Sequence, residues 1–144
     1  MTAVKQGQAA AGVIIHESRF TYQRHGLHQV LDLGQWWEED SGYPIPLGGI
    51  LAKRSLGNEL INKIDRSLRK SIEYAYANPD EPQSYIKQHS QELEDDVVRS
   101  HIGLYVNDFS LDLGDEGIEA VTCLLQRAEQ RGIIPTSELP LFAG

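Results

Sequence analysis

Apolar positions come in short runs over the first 53 residues and recur every three or four residues beyond Arg54. Residues 10–15 are continuously apolar or glycine, as in a strand covered on both faces of a parallel sheet. Ser18 is placed to cap a short helix over 19–25, which Gly26 can end in the left-handed conformation. Residues 29–33 predict a second short strand, and Gly34 with Trp36 and Trp37 a helix ending near Gly42. Pro44 and Pro46 push their predecessors out of the helical region, so 43–46 is expected to be extended. Residues 47–53, with Gly48 and Gly49, predict a third strand at which a backbone or ligand approaches closely.

After Arg54 the pattern predicts helices only. Leu60, Ile61, Ile64, Leu68, Ile72 and Ala75 form one apolar stripe, ending before Asn78 and Pro79. A short helix over 83–89 follows, with Pro82 suited to its first turn. Val97, Ile102, Tyr105 and Val106 come next, led by Glu94, Asp95 and Asp96, acids favoured near a helix N-terminus. The last helix carries Ile118, Val121, Leu124, Leu125 and Ala128, stops at Gly132 and is followed by Pro135. The tail beyond Pro135 is expected to be extended and loosely held.

Strand–helix–strand in front and helices behind predict an α/β fold, with short, mostly parallel strands followed by a helical block. Three short apolar strands need neighbours, and a run as apolar as 12–15 belongs mid-sheet although it lies near the N-terminus. Its sheet partners are therefore expected from outside this chain or from a second copy. The 144 residues point to about one domain. With 21 acidic residues against 13 basic ones the formal charge is −8, which disfavours nucleic acid and anionic membrane surfaces as partners. The longest apolar run, 9–15, is too short to span a bilayer. The first residues lack the basic-then-apolar order of a signal peptide. Cys123 is the sole cysteine, so no internal disulfide or cysteine metal cage is expected, and the plain reading is cytoplasmic.

His16 is the most suggestive residue. Placed at the carboxyl end of a strand and just before a helix, it would lie where open α/β sheets bind ligands. The positive end of that helix would disfavour imidazolium and leave a neutral ring able to act as general base. The alternative is a strand-end histidine hydrogen-bonded to a neighbouring loop. His25 and His28 read as surface histidines, since a zinc site needs three or four convergent ligands. His101, on or beside an apolar helix face, reads as a hydrogen-bonded core residue rather than a catalyst. Residues 38–40 and 94–96 read as solvated or capping acids, and Lys63, Arg66, Arg69 and Lys70 as a solvated basic face. Trp36 and Trp37 read as packing, and Asn107 and Ser110 as capping near Phe109. Phosphate-loop, dinucleotide, nucleophile-elbow and HExxH patterns are absent.

Four motifs in order carry a family resemblance. They are Gly12-Val13-Ile14-Ile15-His16-Glu17-Ser18-Arg19-Phe20-Thr21-Tyr22, then Asp32-Leu33-Gly34 with Trp36-Trp37-Glu38. Pro46-Leu47-Gly48-Gly49-Ile50 follows, and last Tyr105-Val106-Asn107 with Phe109-Ser110-Leu111-Asp112. Together they resemble the 1,4-dihydroxy-6-naphthoate synthase family of the futalosine route to menaquinone, over roughly residues 4–135. The His16-to-Tyr22 segment helps to separate it from the sister family, chorismate dehydratase.

The resemblance implies a two-lobed fold like type II periplasmic binding proteins, with the active site in the cleft. It implies a lyase that cleaves cyclic dehypoxanthine futalosine to 1,4-dihydroxy-6-naphthoate and dihydroxyacetone, with no metal or organic cofactor and His16 as general base. Members of the family carry about as much chain again upstream, where the substrate-binding loops lie. The sequence therefore resembles the C-terminal half. Residues 1–44 would be the end of the second lobe, and 45–144 a crossover strand and helical return to the first. A truncated form is expected, with a solute-binding module, a non-catalytic fragment or split subunit of the same fold that pairs with an N-terminal half, or the sister chorismate dehydratase as the alternatives.

Overall fold

The structure, a computed structural model, describes residues 1–15, 17–89 and 94–142. Its α-helices are α1 (Thr2–Lys5), α2 (Leu33–Ser41), α3 (Asn58–Ala77), α4 (Gln83–His89), α5 (Asp95–Tyr105), α6 (Asp108–Leu111) and α7 (Gly114–Gln130). Three single turns of 3-10 helix, Glu17–Phe20, Tyr22–His25 and Arg54–Leu56, complete the regular structure among the described residues.

No strand occurs among the described residues, which overturns the α/β expectation and leaves the two-lobed periplasmic-binding-protein-like architecture unsupported. The physical reason is pairing. A strand exists through its ladder, and none of the three predicted segments forms one among the described residues. Residues 11–15 and 44–53, up to the turn at Arg54–Leu56, form no regular structure and no strand pairing. Their side chains meet water: Val13 is 77% exposed and Leu51 94%. The second predicted strand is also cut short by a helix start. Asp32 accepts from the backbone nitrogens of Gly34 at 2.9 Å and Gln35 at 3.3 Å, making it the N-cap of α2.

The helices follow the periodicity more closely. Gly26, Gly42 and Gly132 all adopt positive φ, at 69°, 77° and 68°, and close their segments as expected. The helix predicted over 19–25 instead forms two successive 3-10 turns with buried Thr21 between them. The stripe of α3 is only half-buried, because the helix rests on α6 and the turn at Arg54–Leu56 and little else. Asn107 does cap, but at the start of α6: its side chain accepts from the Phe109 nitrogen at 3.1 Å, and Ser110 Oγ accepts from the Asn107 nitrogen at 3.2 Å. The tail is tied back, with Arg54 donating to the Pro140 carbonyl and the Ser137 nitrogen to Glu129.

The buried core is small and dispersed. Among the described residues its apolar members are Trp37 on α2, Val97 and Val98 on α5 and Ala120 on α7. The accessible surface is 11257 Å², against about 7,400 Å² for a compact monomer of this mass. Among the described residues no helix is long and apolar enough to cross a membrane.

Candidate functional site

His16, the residue singled out as a base, lies outside the described residues; the elements on either side of it are described. Just before it, the carbonyl oxygen of Ile15 accepts a hydrogen bond of 2.6 Å from the Tyr105 hydroxyl at the end of α5. The Tyr105 ring lies against His101, one helical turn back, with centroids 4.6 Å apart and planes tilted by 44°. Beyond position 16, the turn Glu17–Phe20 packs on α5.

Three further contacts fix this region. Arg24, in the second turn, meets Glu94 at the head of α5 at 2.5 Å. Arg19 meets Asp32 at 3.2 Å, joining the first turn to the cap of α2. Thr21, between the turns, is buried. The local sequence makes such a course natural: Gly26 can turn back with positive φ, and two short 3-10 turns hold Arg19 and Arg24 on separate turns.

The remaining candidates divide. His25 and His28 are exposed, as surface histidines should be. His101 differs from expectation: it is half-buried, but its Nδ1 is sealed from solvent with no hydrogen-bond partner among the described residues. No other described part of the chain comes close to Gly48 or Gly49, since a Cβ at either would meet open space. The acids of 38–40 and 94–96 are exposed, as expected, and three of them are also paired. Asp40 receives Arg127, Glu94 receives Arg24, and Asp95 receives Lys87 at 2.8 Å. The ammonium of Lys87 holds the Asp95 carboxyl below its ordinary range. Arg69, read as solvated, meets both Glu73 at 3.2 Å and Asp112 at 3.3 Å.

A second cluster joins α2 to α7. The Arg127 guanidinium stacks 5.1 Å from the Trp37 ring centroid while binding the Asp40 side chain and, at 3.2 Å, its carbonyl. The Tyr43 hydroxyl donates to Glu119 at 3.1 Å, and that bond, with the carboxylate charge, raises the phenol above its usual range. Tyr43, Glu119, Thr122, Cys123 and Gln126 line an open groove of about 350 Å³. Trp37 thus packs as expected. The long-range partners of Arg24, Arg127 and Tyr105 were not legible, because pairs 70 to 90 positions apart leave no local pattern.

Comparison with known proteins fits the motifs around this site. The profile of a family described as menaquinone biosynthesis matches residues 1–130. A 1,4-dihydroxy-6-naphthoate synthase of Thermus thermophilus is 55% identical over 139 residues, covering 96% of this chain and 51% of that protein. The enzyme of that name from Streptomyces coelicolor is 45% identical over 135 residues, covering 94% and 48%. The crystal structure of protein AF1704 from Archaeoglobus fulgidus superposes with a TM-score of 0.85 at 35% identity, over 92% of this chain and 50% of that one. The chain spans about half the length of the curated relatives it matches. The resemblance read from the four motifs agrees with these relatives, and the chain belongs to the menaquinone biosynthesis family.

Proposed function

We propose that this chain forms part of a lyase that cleaves cyclic dehypoxanthine futalosine to 1,4-dihydroxy-6-naphthoate and dihydroxyacetone, with His16 as general base. The observation that carries the reading is the 55% identity to the Thermus synthase across 96% of the chain. In this reading the imidazole takes a proton from the substrate, after which the ring system opens and aromatises, which supplies the driving force. The reaction uses neither metal nor organic cofactor, takes a small-molecule substrate and belongs in the cytoplasm.

General-base catalysis contributes typically about 10²–10⁴-fold, and the rest of the acceleration must come from positioning and exclusion of water. A chain spanning half the length of its relatives supplies part of that positioning. The working unit is therefore this chain together with the remaining half of the family's length, in one polypeptide or two.

The test measures naphthoate release by the purified chain, alone and mixed with the part of the Thermus relative that it does not span. No measurable turnover is expected alone, and turnover is expected on mixing, with loss in His16→Ala. Turnover indifferent to His16→Ala would overturn the role of that residue. Ligand retention without conversion would favour a solute-binding module instead.

A further inference from the structure

We propose that residues 47–51, Leu47-Gly48-Gly49-Ile50-Leu51, form the surface on which the remaining half of the family's length docks. The inference rests on the reading that the working unit needs that half, and it names where this chain receives it. From Pro44 to Ala52 no side chain is polar or charged. A stretch of that composition suits an interior, yet Leu47 is 52% exposed, Ile50 74% and Leu51 94%. A Cβ at Gly48 or Gly49 would also meet open space. The described residues thus leave the segment largely bare.

The segment is nonetheless anchored at both ends, which separates it from a loose tail. Ahead of it the Tyr43 hydroxyl donates to Glu119 on α7 at 3.1 Å. Behind it the turn Arg54–Leu56 packs on α3. An exposed apolar patch held in place in this way marks an interaction surface.

Length and area point to the occupant. This chain superposes with a TM-score of 0.85 on a solved chain of which it covers 50%, so as much polypeptide again is at hand there to lie against it. The two synthases extend to about twice its length as well. Its accessible surface, 11257 Å², exceeds that of a compact monomer by far more than the roughly 800 Å² that one side of a stable interface buries. The segment offers only aliphatic side chains and backbone groups. Its receiving surface is therefore an apolar groove that supplies hydrogen-bond partners to that backbone and faces it with no unpaired charge.

The test is amide hydrogen exchange on the chain alone and mixed with the part of the Thermus relative that it does not span. The amides of 47–51 should exchange freely alone and slow by roughly tenfold or more on mixing, since a covered amide exchanges only when the contact opens. Free exchange there in a mixture that associates would overturn the proposal. Failure of the two parts to associate, both as a mixture and joined in one polypeptide, would do the same. Protection that grows with the concentration of the chain alone would assign the surface to a second copy and so refute the proposed occupant.

Leu51→Asp gives a second readout. In the chain alone the side chain already meets water, so the thermal midpoint should stay in place. In the complex the carboxylate would be buried unpaired, and Kd should rise roughly tenfold or more. An unchanged Kd sinks the proposal. Both readouts follow contact and not turnover. Protection at 47–51 without naphthoate release keeps the surface and removes the lyase reading, whereas release without protection keeps the lyase reading and removes the surface.

Discussion

The Asp32 carboxylate serves two elements at once: one oxygen accepts from the Gly34 and Gln35 nitrogens that open α2, and the other meets the Arg19 guanidinium at 3.2 Å. A single side chain therefore starts a helix and ties to it the turn that follows position 16. The two duties can be separated by substitution. Asp32→Ala should lower stability by about 1 kcal/mol through loss of the cap. Asp32→Asn should lose only the part owed to the ion pair, a few tenths of a kcal/mol at this exposed site, because asparagine caps as well as aspartate. Urea midpoints of the two variants measure the difference, and equal losses would contradict it.

Gly117 is buried in the second turn of α7. Replacing an interior helical glycine with alanine ordinarily gains about 1 kcal/mol. Here an added Cβ would lie 3.1 Å from Leu113 Cβ and Cδ2 and 3.2 Å from Phe109 Cδ1. The Leu113 Cβ is set by the backbone at the head of the helix and cannot swing aside, so crowding should outweigh propensity. Gly117→Ala is expected to lower the thermal midpoint, with a net cost of about 1 kcal/mol. A raised midpoint would show that Phe109 and Leu113 yield freely.

Acid should loosen the joint between α3 and the segment ahead of α7. Asp112 accepts from the Gly114 nitrogen at 3.0 Å and from Arg69, and these bonds hold its carboxyl below the ordinary value of 3.8. For a carboxyl whose folded value is depressed, the stabilisation is complete above the unfolded value. It is lost as pH falls through the folded one. Asp95, depressed by Lys87, behaves alike. Stability measured by urea unfolding should therefore be flat in these groups near neutrality and fall below about pH 4. Asp112→Asn should remove part of that fall, and an unchanged acid profile in the variant would count against the assignment.

How far the sequence could be read depended on where each partner lies. Helices whose signals are internal were legible: the stripe of α3, the acids heading α5, and the glycines at 26, 42 and 132. The predicted strands failed because an apolar run such as 10–15 reports that a segment suits being covered, while a strand requires a specific neighbour. Asp32 was also missed as a cap, though an Asp followed by a helical pattern is a known start signal. At the candidate site His16 was named from its place in a motif. The contacts of the elements on either side of it, Tyr105 at Ile15 and Arg24 at Glu94, join distant parts of the chain and become visible only in three dimensions.

The generous surface of this chain bears on how it comes apart. The slope of unfolding free energy against denaturant grows with the area newly wetted. A molecule that already shows 11257 Å² has less left to expose than a compact one of equal mass. Its urea transition should consequently be broad, with a small m-value, and a given midpoint will correspond to less unfolding free energy than it would in a compact molecule of equal mass.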